Sequence, residues 1–102
     1  MKIEDFKKLD IRTATIVDVK DHPDAEKLYV LTADLGAEKR QLVAGLKGIY
    51  SKEQLVGKQV IMLANLEHAK LRGVESQGML LAADDGTLIS PVKKLPNGMK
   101  IR

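Results

Sequence analysis

The sequence predicts an all-β fold: a five-stranded Greek-key barrel of the OB type, with one short helix between its third and fourth strands. Three observations carry that prediction. Five principal runs of β-branched or alternating apolar residues are separated by turns rich in Gly, Pro and Asp. A single capping-box helix falls between the third and fourth runs, a position that an SH3-like barrel ordinarily leaves empty. The whole pattern fits within 102 residues, enough for one core and too few for two, so residues 1–102 are read as one domain.

Taken in order, Ile3, Phe6 and Leu9 recur every third position and predict a short helical turn or arm, too short to stand alone. Ile11 to Lys20 carries Ile11, Thr13, Thr15, Ile16, Val17 and Val19, a long strand whose alternation breaks near Ala14 to Ile16. Asp21 to Ala25 is a turn in which Pro23 presets its own φ, and His22 is read as part of that turn. Leu28 to Leu35 alternates cleanly, with Tyr29, Leu31, Ala33 and Leu35 on one side, and Gly36 closes it. Gln41 to Ala44 is the third strand, led in by Lys39 and Arg40.

Ser51-Lys52-Glu53-Gln54 is a capping box, flanked by Tyr50 and Leu55 at hydrophobic-staple spacing and ended by Gly57. Lys58 to Asn65 reads as a buried fourth strand and Met79 to Ala83 as a fifth short one. Asp84-Asp85-Gly86 is a tight turn, after which Thr87 to Ser90 reads as a further strand. Pro91, Pro96, Asn97 and Gly98 keep the tail irregular until Met99.

Composition removes several function classes. With 44% hydrophobic and 30% charged residues the chain is too apolar for disorder. No apolar run nears the ~18 residues of a membrane span, so no membrane partner is expected. Charged residues stand where a signal peptide would have its apolar segment, and there is no cysteine. A cytoplasmic location is the default expectation. Charge is uneven along the chain. Residues 1–38 hold six Lys/Arg against nine Asp/Glu, or −3, and residues 39–102 hold eleven against five, or +6. A basic face on a near-neutral body suits a polyanionic partner, although an uninvolved surface bias has the same signature.

Asn65 to Ala83 concentrates the functional signal. Two apolar runs bracket Lys70 and Arg72, Gly73 and Gly78, and the polar Asn65, Ser76 and Gln77. Strands that carry a cationic, glycine-bounded loop can bring backbone close to a partner. Met79 is either core or an exposed apolar contact. Catalysis has little support: His22 and His68 stand apart, no zinc-ligand spacing exists, and Gly73 to Gly78 is one residue too long for a nucleophile elbow. Neither a cofactor nor a small-molecule substrate is expected. Gly45-Leu46-Lys47-Gly48 follows a predicted strand, whereas the Gly-x-x-Gly clamp of a KH domain joins two helices. On the strand assignment Lys27 opens the second strand and Arg40 the third, beside the face on which OB barrels bind. Aromatic residues are few, only Phe6, Tyr29 and Tyr50, which leaves no stacking platform for unpaired bases. Folded RNA recognised through backbone and shape is therefore favoured over a single strand.

The run His22-Pro23-Asp24-Ala25-Glu26-Lys27-Leu28-Tyr29, then Arg40 with Val43-Ala44-Gly45-Leu46, then Ala64-Asn65-Leu66, then Lys70 to Ala83, closely resembles one kind of tRNA-binding domain. That domain is found at the C-terminus of many methionyl-tRNA synthetases, in free-standing tRNA-binding proteins and in endothelial-monocyte-activating polypeptide II. The resemblance spans essentially the whole chain, including Asp5-Phe6 and the Pro96 to Lys100 tail. It implies an OB-fold that binds tRNA by shape and serves a methionyl-tRNA synthetase, in trans or as an appended domain. It further implies a homodimer built on the N-terminal arm and the C-terminal tail, with Ile3, Phe6, Leu9, Pro91 and Pro96 at the interface. Ending at Arg102 without the longer extension of the cytokine-like members, the chain is similar to the dimeric kind. Position by position, the resemblance marks Lys27, Arg40, Asn65, Lys70, Arg72, Ser76 and Met79 as RNA-facing and Gly73 and Gly78 as shaping the loop. The rival expectation is a protein-docking module of a synthetase complex that never touches RNA.

Overall fold

In the computed structural model, which describes every residue from Met1 to Arg102, one long strand organises the others. This is β1 (Ile11–Asp21). Its first half pairs antiparallel with β4 (Gln59–Leu63), from Ile11 opposite Leu63 to Thr15 opposite Gln59. Its second half pairs with β2 (Tyr29–Asp34), from Thr15 opposite Asp34 to Asp21 opposite Tyr29. The register slips between Ile16 and Asp18, which leaves Val17 as a bulge. An extra residue of this kind bends a strand and increases its twist, as one strand serving two sides of a barrel requires. The break expected at Ala14 to Ile16 thus lies one residue later.

β3 (Lys39–Ala44) pairs with β2, and β7 (Met79–Leu80) pairs with β4, giving the antiparallel order β3-β2-β1-β4-β7. The sheet curls into a nearly closed OB-like barrel. Its inside is filled by the alternating residues that the pattern marked: Tyr29, Leu31, Ala33 and Leu35 from β2 and its end, with Ala14, Ile16, Leu42, Val60 and Met62 from the other walls. Two short helices accompany it, α1 (Ile3–Phe6) and α2 (Lys52–Leu55). In α2 the Ser51 hydroxyl accepts the Gln54 N–H and the Gln54 side chain accepts the Ser51 N–H, so the predicted capping box is present. Its Leu55 is wholly buried in the core. A helix of four residues cannot persist by itself, and that burial holds it.

Three expectations change in the structure. The fourth strand ends at Leu63 and the fifth shrinks to Met79–Leu80. Thr87 to Ser90 is not a strand. After the Asp84–Gly86 turn the chain makes one bridge, Ala82 to Leu88, and Pro91 then lacks the N–H a ladder needs. The residues between Leu63 and Met79 do not form a plain loop: β5 (Ala69–Leu71) and β6 (Val74–Ser76) make a separate two-stranded hairpin.

The two ends of the chain meet β1. Thr13 binds the tail through its backbone, accepting from Gly98 N–H at 2.8 Å and donating to Met99 O at 3.0 Å. Its buried hydroxyl donates to Pro96 O at 2.7 Å and accepts from Met99 N–H at 2.9 Å. The N-terminal arm is held more weakly. No residue of α1 is buried, and Ile3 is 61% exposed.

Candidate nucleic-acid interface

The hairpin owes its form to its turn. Ala69 stands opposite Ser76, Lys70 opposite Glu75 and Leu71 opposite Val74, which leaves Arg72 and Gly73 as a two-residue connection. Their φ values are +53° and +88°, the positive pair a type I′ turn demands. Gly73 meets this cheaply and has nothing within 4 Å of where a Cβ would sit, so conformation alone fixes it. Arg72 is the one non-glycine residue of the chain with positive φ. A side chain held there stores roughly 1 kcal/mol or more, a strain that concentrates at functional positions.

Two hydrogen bonds hold this tip on the turn between β1 and β2. His22 is 5% exposed, and its Nδ1 accepts the Asp24 N–H at 3.0 Å. The remaining proton is thereby assigned to Nε2, which donates to Leu71 O at 2.9 Å. Arg72 Nη2 donates to Asp24 O at 3.0 Å. Lys27, exposed, lines with Arg72 a shallow depression of about 430 Å³ that also includes Asp24 and Glu26. Opposite Lys70, the Glu75 carboxylate bonds to Gln77 Nε2 and lies 3.3 Å from His68 Nδ1. Lys70 is left exposed and without an ion pair.

The foot of the hairpin is held by Arg40 on β3. Its guanidinium donates to Ala64 O, where the chain leaves the barrel, and to Gln77 O at 3.3 Å, where it returns. It also pairs with Glu38. Beside it, Gln77 N–H donates to Gln41 O at 2.8 Å and Gln41 N–H donates to the Gln77 side chain at 3.1 Å. Ser76 Oγ accepts the Val43 N–H at 3.0 Å and donates to Gly78 O at 3.2 Å. These bonds close the seam between β3 and β7, where no regular ladder forms. Gly78 follows for a steric reason: a Cβ there would lie 2.3 Å from Met62 Cε and 3.0 Å from Leu63 O.

The seven residues expected to face RNA therefore divide. Lys27, Lys70 and Arg72 are exposed, Lys27 and Arg72 around one depression, and Arg40 at the foot of the hairpin is largely covered with its side chain 23% exposed. Ser76 is corrected to an interior residue, 6% exposed, because its hydroxyl seals the barrel seam. Asn65 is exposed, but its amide is engaged on the arm, accepting from Asp10 N–H at 2.9 Å and donating to Lys8 O at 2.7 Å. Met79, open between core and surface in the sequence, is 46% exposed and borders an apolar cleft of about 230 Å³ with Leu42, Leu46 and Leu88.

Sequence reasoning missed His22, which it placed in a turn, and the Gln41–Gln77 pair. Nothing in the spacing signals that an imidazole in one turn reaches a carbonyl 49 residues away. The aromatic residues sit as expected: Tyr29 is 4% exposed, with its hydroxyl donating to Tyr50 O, and the Tyr50 hydroxyl accepts the Leu88 N–H. No ring on this side is free to stack on a base.

Comparison with known proteins gives concordant matches. The family described as "Putative tRNA binding domain" matches residues 11–100. The chain is 60% identical to part of the methionine–tRNA ligase of Thermococcus onnurineus and 59% identical to part of that of Pyrococcus horikoshii, over its full length in both cases. It spans only 14% of the length of each ligase. Among solved structures it is similar to a MetRS related protein from Pyrococcus horikoshii, with TM-score 0.89 and 30% identity over 100% of this chain and 97% of that one. It is also similar to the CsaA chaperone protein from Picrophilus torridus, with TM-score 0.90 and 30% identity over 100% of this chain and 99% of that one.

Proposed function

Since the chain belongs to the tRNA-binding domain family, whose model covers residues 11–100, we propose that it is a non-catalytic domain that holds tRNA for a methionyl-tRNA synthetase. The observation that carries this reading is the pre-set hairpin. Arg72 stands on a strained turn and Lys70 on the strand that leads into it, in a hairpin clamped to the barrel at its tip and foot, and Lys27 lines a shallow depression with Arg72. Arg72, held in this way, meets a phosphate at little ordering cost, and Lys70 stands two residues before it on the same hairpin. They carry no pattern of base-edge contacts, and without a free aromatic ring the selectivity rests on the shape of the folded RNA.

Lys27, Lys70, Arg72 and Met79 form the RNA-facing set of this proposal, with Gly73 and Gly78 shaping the hairpin. Arg40, Asn65 and Ser76 act behind them, through the bonds that fix its roots and the barrel seam. The synthetase acts as partner through an attached or separate catalytic chain, in the cytoplasm. Self-association is part of the same reading. It is supported by the unburied arm, with Ile3 61% and Leu9 39% exposed, and by a tail in which Pro96 is exposed and Pro91 partly so. Phe6 is half-buried between them in sequence. Pairing two copies doubles the phosphate contacts that one modest basic face offers.

A gel-shift series with bulk tRNA, an unstructured RNA and duplex DNA at several salt concentrations tests the function. Tighter binding of tRNA than of either competitor at every salt concentration is expected. Equal affinity for tRNA and the unstructured strand would overturn recognition by shape, and no tRNA complex at low salt would overturn the function itself. Mass in solution, with Ile3→Ser and Leu9→Ser as the variants, tests the dimer independently.

A further inference from the structure

The widest depression on the molecule lies away from the hairpin, and nothing in the RNA-facing set touches it. It holds about 560 Å³ between the start of β4 and the segment Ser90–Asn97. Its floor is rigid. Gln59 Nε2 donates to Leu95 O at 2.7 Å and its Oε1 accepts the Leu95 N–H at 2.9 Å, while Thr15 Oγ1 donates to Asn97 Oδ1 at 2.6 Å. Its rim carries Lys58, Lys93 and Lys94, with Pro91 of the proposed self-association set at one edge, and no carboxylate lines it. The contrast with the neighbouring end of the barrel is instructive. There Lys47 and Lys52 lie 3.2 and 3.3 Å from Asp21 and share its carboxylate, whereas none of the three rim lysines has an acidic partner. Lys58 is further fixed by lying 5.8 Å from the centre of the Tyr50 ring.

We propose that this lysine-rimmed depression is a second phosphate-contact face, which takes a backbone segment of the same tRNA that the hairpin holds. The position supports a second segment and not a shared phosphate. Gln59 and Leu63 are the two ends of β4, and the hairpin departs after Leu63. At roughly 3.3 Å per residue those ends lie about 13 Å apart. One phosphate cannot reach both, but a folded RNA presents several strands over that span. Three cations around a polar, pre-ordered floor release counterions on binding while reading no base.

The proposal rests on the tRNA-binding reading, and its test is chosen to fail separately from it. The double variant Lys93→Ala/Lys94→Ala, in the full chain, is titrated with tRNA over a range of salt concentrations beside Arg72→Ala. The double variant should lower affinity at low salt and flatten the salt slope by about 1–2 units, at roughly 0.9 per phosphate. The charge-retaining Lys93→Arg/Lys94→Arg should keep both. An unchanged slope in the alanine variant, with Arg72→Ala still weakened, overturns the second face and leaves the first standing. Unchanged tRNA binding with lost association to the synthetase catalytic chain assigns the lysines to an acidic protein surface instead, and overturns it too. A loss of binding that tracks a change in molecular mass also overturns it, because the tail would then act through self-association.

Discussion

Arg72→Gly separates what the fold needs at that position from what a ligand needs. Arg72 sits at φ +53° in a turn where glycine is the relaxed choice, so the substitution relieves roughly 1 kcal/mol of strain. Against this stand the greater unfolded-state entropy of glycine, about 0.5–1 kcal/mol, and loss of the exposed bond to Asp24 O, about 0.5–1 kcal/mol net. These terms nearly cancel, and the melting temperature should stay within about 5 °C of the parent. Binding should respond quite differently. One phosphate contact is worth about 0.9 in the slope of log K against log salt, so the parent-to-variant affinity ratio should shrink about three- to fourfold between 50 and 200 mM salt. Filter binding of tRNA across that range, with circular-dichroism melting of the same samples, reads both. An unaltered salt slope would refute the phosphate contact. A melting temperature lowered by 10 °C or more would show that the hairpin depends on the arginine, and the reasoning from strain would fall.

Three further outcomes follow from the same geometry. Ser76→Ala leaves the buried Val43 N–H without its acceptor and should cost about 1–3 kcal/mol, read as an earlier melting midpoint; weaker tRNA binding at an unchanged midpoint would put the hydroxyl on the ligand instead. His22→Asn keeps an acceptor for the Asp24 N–H but is too short to reach Leu71 O, so amide exchange at Arg72 and Gly73 should quicken while the barrel core stays protected. Equal exchange in the two proteins would mean that the tip needs no clamp. Asp10 has its carboxyl held below the ordinary value of 3.8, chiefly by the hydrogen bond from Arg12. Its folded form binds the proton less tightly than the unfolded form, so its contribution is full well above the unfolded value of 3.8 and fades as pH falls through the folded value. Urea midpoints of the parent and Asp10→Asn should therefore differ at pH 7 and draw together as the pH falls below 3.8, and a gap that does not narrow in acid would contradict the assignment.

Much of the barrel is legible in the sequence because its walls have local signatures. The alternation from Tyr29 to Leu35 states which residues face inward, and the Ser51–Gln54 box states where α2 starts. Both depend on neighbours two to four positions away, which is why pattern reading finds them. The stretch from Asn65 to Gly78 shows its cations and glycines equally plainly, and with the runs at His22–Tyr29 and Val43–Leu46 it makes the family recognisable. Its form as a hairpin is hidden, because Arg72 occupies a conformation that its residue type disfavours.

The sequence by itself determined an all-β barrel, the inward faces of its strands, one capped helix and a cationic segment suited to a polyanion. Only the tertiary structure decided which polar residues of the expected RNA-facing set remain free. Ser76, Asn65 and Arg40 look like ligand groups in a string of letters, yet each meets a backbone N–H or C=O brought to it by distant chain. The physical reason is that covered backbone groups must be paired. A barrel closed by two short strands and a hairpin leaves several such groups at its seam, which Ser76 and Arg40 satisfy, while Asn65 stays exposed and ties the arm.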